Sequence, residues 1–231
     1  MMKLENKRTP NMSLKEADHL IDSITERLDQ KEAIDRKIKF FLDIRGYLKV
    51  NSIKGNYIEF GSFRSITQYG AYKVLDNTGT INKYVGLDTF KGEPRPTKEE
   101  KQHHPYDNTG DFSCSYNDVL SFVKEAFQGK GVVIQGDFRD ESILEKVKKY
   151  TPINVAMIDC NLVSSIEKSL EFVFQYATPG CVILIDDYFS NFGKGEAIIQ
   201  NTIERIKNSS EWKLIEHSFY PPVAKSFILS R

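Results

Sequence analysis

Residues 181–189 read CVILIDDYF, an apolar run from Val182 to Ile185 that ends in two adjacent carboxylates, Asp186 and Asp187. Four consecutive apolar residues without polar alternation predict a strand buried on both faces. Like charges side by side repel, and burying either is costly without a compensating partner. The same pattern recurs on either side of this stretch. Asn154 to Ile158 runs into Asp159, Lys83 to Leu87 into Asp88, Val132 to Gln135 into Gly136-Asp137, and Asn56 to Phe60 into Gly61. Helical periodicity fills the intervals, over about 64–76, 115–128, 141–149, 164–176 and 194–208. Short apolar strands alternating with helices predict an α/β, Rossmann-like, doubly wound and mostly parallel sheet. Two last strands, near 212–216 and 225–230, have only Phe219-Tyr-Pro-Pro222 between them, which predicts an antiparallel hairpin at the sheet edge.

The N-terminal part reads differently. Leu14, Ala17, Leu20, Ile21, Ile24 and Leu28 share a helical face behind Ser13 as N-cap, and a second helix is predicted over about 31–48. Residues 1–50 are therefore expected to form a helical segment for dimerisation or for covering an acceptor site, ahead of a main domain over 51–231. A possible homodimer follows from that expectation.

The chain has 231 residues, with 32 Lys plus Arg against 32 Asp plus Glu. Zero net charge argues against nucleic acid or an anionic membrane as the main partner. Cys114, Cys160 and Cys181 show neither a pairing pattern nor a CxxC motif. The start of the chain is polar and no 18-residue apolar run occurs, so neither a signal peptide nor a membrane span is expected, and the cytoplasm is the default location.

In doubly wound sheets ligands bind beyond the carboxyl ends of the strands, near the switch point. Glu59, Gly61, Asp88, Gly136, Asp137, Asp159, Asp186 and Asp187 all fall at such ends. Gly61 permits a tight turn or a close approach to a ligand, but a GxGxxG fingerprint is absent. Asp88 suits ribose hydroxyls, or serves as a loop carboxylate. Asp159, Asp186 and Asp187 lie within reach of one hard cation such as Mg2+. The alternative is a buried cap at Asp186 and a solvated Asp187. His103 and His104 sit in a polar loop over about 90–113, long enough to be read as a lid, and either is solvated or serves as a base. His19 falls on a helix surface and His217 near a strand end.

Five motifs in this order resemble the macrocin O-methyltransferase family of class I S-adenosylmethionine-dependent methyltransferases. They are Ile58-Glu-Phe-Gly61, Leu87-Asp-Thr-Phe-Lys-Gly-Glu-Pro94, Gly136-Asp-Phe-Arg-Asp140, Met157-Ile-Asp-Cys-Asn161 and Pro179-Gly-Cys-Val-Ile-Leu-Ile-Asp-Asp-Tyr188. The resemblance implies methyl transfer from S-adenosylmethionine to a hydroxyl, usually on a sugar of a glycan or secondary metabolite. It implies a cofactor loop at Glu59, Gly61, Ser62 and Phe63, a ribose position at Asp88-Thr89, and an adenine pocket near Gly136, Asp137 and Phe138. It further implies Mg2+ on Asp159, Asp186 and Asp187. Asp159 would touch the donor and take the acceptor proton, with His104 as the other candidate base. The chain departs from the family at Ser65, where a second glycine is usual, at Asn161, where an acid is usual, and at Val163, where an aromatic is usual. Three rival readings stand beside this one. They are a catechol-type methyltransferase with an aromatic slot from Phe112, Tyr116 and Tyr188, a nicotinamide oxidoreductase, and a methyltransferase-like binding protein without turnover.

Overall fold

The computed structural model describes residues 33–98, 100–103, 109–190 and 197–231. The helix expected over 13–28 and His19 lie outside the described residues. The chain divides into two units, Met1–Arg36 and Lys37–Arg231. The second holds a seven-stranded sheet in the order β3-β2-β1-β4-β5-β7-β6. Its strands are β1 (Gly55–Phe60), β2 (Ile81–Asp88), β3 (Gly131–Gln135), β4 (Ile153–Ile158), β5 (Ala177–Ile185), β6 (Lys213–Tyr220) and β7 (Ala224–Ser230). Five pair in parallel; β7 runs antiparallel to β5, and β6 antiparallel to β7. The hairpin is therefore present, but its second strand inserts next to β5 and leaves β6 outermost.

Successive β1 side chains point to opposite faces and join different layers. Ile58 and Phe60 belong to the layer that also holds Ile143, Leu144 and Val147 of α5 (Glu141–Val147), Ile166, Leu170 and Val173 of α6 (Val163–Tyr176), and Ile199 and Ile203 of α7 (Ile198–Asn208). Tyr57 packs with Leu75 of α2 (Ile66–Leu75) and Val119 and Val123 of α4 (Tyr116–Ala126). The same layer takes Phe40, Phe41, Ile44 and Leu48 from a helix over 33–50, here α1. These four side chains are fully buried, at roughly 1.5–3 kcal/mol of burial each. That burial is why 37–50 belongs to the main body, although the sequence set 1–50 apart. A short helix α3 (Glu100–His103) lies within the long connection between β2 and α4. No helix among the described residues is long and apolar enough to cross a membrane.

Ser65, the residue that replaces a family glycine, caps α2 with φ 59°, in the left-handed region. It is fully buried, and its hydroxyl has no hydrogen-bond partner among the described residues. An L-residue in that region costs about 1–2 kcal/mol relative to glycine. Ser65→Gly is therefore expected to stabilise the fold by about 1 kcal/mol, raising Tm by roughly 2–4 °C. Thermal unfolding of the variant checks this, and a lowered Tm would contradict it.

Candidate active site

The sheet's hydrogen-bond ladder continues one rung beyond the strand ends. The Asp159 amide donates to the Phe60 carbonyl at 2.9 Å, and the Asp186 amide to the Ile158 carbonyl at 2.9 Å. On the other side of β1, the Gly61 amide donates to the Leu87 carbonyl at 2.9 Å. This brings Glu59, Asp88, Asp159 and Asp186 to the carboxyl edge around β1 and β4, where the strand order reverses. Gly61 is required there by packing. Its φ is +90°, and an added Cβ would stand 2.0 Å from the Asp159 carbonyl oxygen.

The partner that offsets the buried acids is a lysine the sequence reading missed. Lys37 Nζ donates to Asp159 Oδ2 and lies 3.4 Å from Asp186 Oδ2. Lys37 is 8% exposed and Asp186 5%. Burial alone would lower the Lys37 pKa; the fields of Asp159 and Asp186 outweigh it and push it up, so the ammonium stays charged. Burial pushes the Asp159 carboxyl up, Lys37 opposes this, and Asp186 adds to it. The net upward shift makes Asp159 a stronger base than a solvated aspartate. A signal for Lys37 exists in the sequence. It falls in the same i, i+3, i+4, i+7 series as Phe40, Phe41 and Ile44, a cation on the apolar stripe of a helix.

Glu59 is buried and accepts from the Tyr57 hydroxyl at 2.8 Å. Burial first, and then the Asp159 charge, push its carboxyl up to about 8. Asp88 accepts from the Phe63 amide through Oδ2 at 2.8 Å and from the Phe90 amide through Oδ1 at 2.7 Å. Burial pushes its pKa up against those bonds. The carboxylate thus ties the loop after β1 to the turn after β2, with lone pairs left for a diol. Thr89 donates its hydroxyl to the Gly92 carbonyl at 2.9 Å, which shapes that turn.

The other expected site residues have the following neighbours. Gly136 follows β3, and its amide donates to the Asp88 carbonyl at 2.9 Å. Asp137 accepts a fork from Arg139, with Nη2 to Oδ2 at 2.6 Å. That pairing holds its carboxyl below the ordinary aspartate range despite partial burial. Phe138 is a core residue, edge-on to Phe60 at 5.4 Å. Ser62 is buried beneath the loop, its hydroxyl without a partner among the described residues. Asp187 accepts from the Ser190 hydroxyl at 2.9 Å. Among the described residues, no group of three or more His, Cys, Asp or Glu is arranged to hold a metal ion. His103 ends α3, and His104 lies outside the described residues. His217 Nδ1 pairs with the Ser226 hydroxyl at 2.8 Å.

The long connection after β2 is anchored. Lys91 pairs with Ser113 and Glu93 with Thr109 in isolated bridges. Glu100 accepts from the Ser164 amide at 2.8 Å, capping the first turn of α6, and Asn161 Nδ2 donates to Glu93 at 3.3 Å. The connection therefore reaches the Asp159 end of the sheet. Phe112, Tyr116 and Tyr188 do not line one slot. Phe112 is exposed, Tyr116 packs at a tilt against Phe90 in one layer, and Tyr188 packs on Phe227 in the other.

The strand order and the acid-lined switch point define a Rossmann-like methyltransferase fold. NovP, an O-methyltransferase, superposes with a TM-score of 0.65 at 15% identity, covering 85% of this chain and 80% of that one. CalS11, a calicheamicin methyltransferase, gives 0.63 at 17% identity, covering 94% and 86%. MycE, a methyltransferase of mycinamycin biosynthesis whose structure holds Mg and SAH, gives 0.50 at 15%, covering 84% and 48%. No curated protein sequence matches the chain. The model of the macrocin-O-methyltransferase (TylF) family matches residues 35–208. The chain belongs to that family and is an S-adenosylmethionine-dependent O-methyltransferase.

Proposed function

We propose that this enzyme methylates a hydroxyl of a sugar carried by a small metabolite or glycan. The donor would occupy the carboxyl edge over β1 and β4. One observation carries the reading: Glu59, Asp88 and Asp159 meet at the ends of β1, β2 and β4, where Asp88 holds the Phe63 and Phe90 amides and Glu59 is buried. A buried surplus of carboxylate suits a donor that brings a sulfonium and an ammonium. Asp88 would hold the ribose hydroxyls, and Glu59 the amino end. S-adenosylmethionine supplies an activated methyl group. With the donor's methyl group transferred to the acceptor oxygen and the sulfur leaving as the thioether, Asp159 would take the hydroxyl proton. The described part of the connection after β2 reaches this edge through Glu93 and Glu100.

The donor set Asp159, Asp186 and Asp187 is hard enough for Mg2+, but the residues do not fit a bound ion as they stand. The Lys37 ammonium lies between Asp159 and Asp186.

The pH dependence of donor binding tests the site. Glu59 in the free protein is protonated below its pKa of about 8. A cationic donor favours the ionised form, so binding expels a proton and affinity rises with pH. From pH 6 to pH 7, where the donor's α-amino group stays charged, a rise of about tenfold is expected. Glu59→Gln flattens it. Calorimetry across this range checks the effect, and equal slopes in both proteins would contradict the assignment.

A further inference from the structure

We propose that Lys37 is the resident cation of the acid cluster, and that its ammonium and a divalent metal are mutually exclusive occupants of the space between Asp159 and Asp186. The proposal deepens the reading of this edge as the transfer site, but its test does not depend on turnover.

Lys37 Nζ donates to Asp159 Oδ2 and stands 3.4 Å from Asp186 Oδ2. The three side chains are 10%, 21% and 7% exposed, so little water screens the pair. Two buried carboxylates at neighbouring strand ends need positive charge nearby. An ammonium supplies it with three donors and no coordination geometry, whereas a metal needs several oxygens converging on one point. The described residues offer no such convergence of three ligands. Lys37 is also fixed from behind. It begins the part of α1 whose Phe40, Phe41, Ile44 and Leu48 are fully buried. The lysine is therefore held by the core of the fold and does not reach in from a solvated loop. Adding a divalent ion within a few ångströms of that ammonium would be repulsive, so one cation must leave.

The test is Mn2+ binding, read by the paramagnetic resonance of free Mn2+ on the full chain. Wild type and Lys37→Arg, which keeps the charge, are expected to bind weakly or not at all. Lys37→Gln removes the charge and is expected to bind one Mn2+ at least tenfold more tightly, with a rise in Tm on adding the ion. The double variant Lys37→Gln/Asp159→Asn should lose that site again. Tight Mn2+ binding by the wild type, unchanged in Lys37→Gln, would overturn the proposal. So would a Lys37→Gln protein that folds, binds S-adenosylhomocysteine and gains no Mn2+ affinity. Because S-adenosylhomocysteine binding is scored separately, loss of the donor site and loss of the cation argument give different results. If the proposal holds, chelator leaves wild-type turnover unchanged.

Discussion

Asp159→Asn is expected to lower kcat by about 10²–10⁴-fold, while S-adenosylhomocysteine affinity changes by less than about tenfold. The substitution keeps the side-chain shape and the backbone bond from the Asp159 amide to Phe60. It removes a strand-end acid that lies beside both Lys37 and Asp186 and is pushed toward greater basicity. The Lys37 ammonium occupies Oδ2, and an aspartate offers a second oxygen to the acceptor hydroxyl. Asparagine offers only a weak, neutral acceptor there. Because the charge of Lys37 would still face Asp186, the variant should fold. Single-turnover kinetics with the bound donor separate the two effects. A kcat within threefold of wild type would move the base to another residue.

Gly61→Ala is expected to destabilise the fold by about 3 kcal/mol or more, from strain at positive φ and from a backbone clash. The Cβ would meet the Asp159 carbonyl oxygen at 2.0 Å, and neither group is the mobile end of a side chain. Relief would require separating the ends of β1 and β4, which the Asp159-to-Phe60 bond opposes. In a domain of this size the loss corresponds to roughly 6–12 °C in Tm. It should also displace Asp159 and reduce turnover beyond what stability alone accounts for. A Tm within 2 °C of wild type would show that the two backbones are not in contact.

The parallel strands were legible because each carries a short, mostly apolar run that ends at or next to a glycine or an acid, and burial on both faces leaves that signature. The edge order of the last two strands was less legible. Lys213 to Tyr220 and Ala224 to Ser230 give the same hairpin whichever of them pairs with β5. The acids of the site were legible because each lies at or beside the carboxyl end of a strand, Glu59 and Asp88 within the last residues of β1 and β2, Asp159 and Asp186 just past β4 and β5. Lys37 was hidden because it lies far from Asp159 along the chain and nothing local marks it, apart from its place in the apolar series with Phe40, Phe41 and Ile44. Asp137 and Phe138 show the converse. Their contacts, the carboxylate on Arg139 and the ring on Phe60, could not be read from the motif.

The central claim is that the β1/β4 edge is the donor site of an O-methyltransferase. A crystal structure of the complex with S-adenosylhomocysteine tests it most directly. The expected result places the ribose hydroxyls on the Asp88 carboxylate, the amino end toward Glu59 and the sulfur facing Asp159. A ligand bound elsewhere on the fold, or a saturated crystal with nothing over β1 and β4, would contradict it.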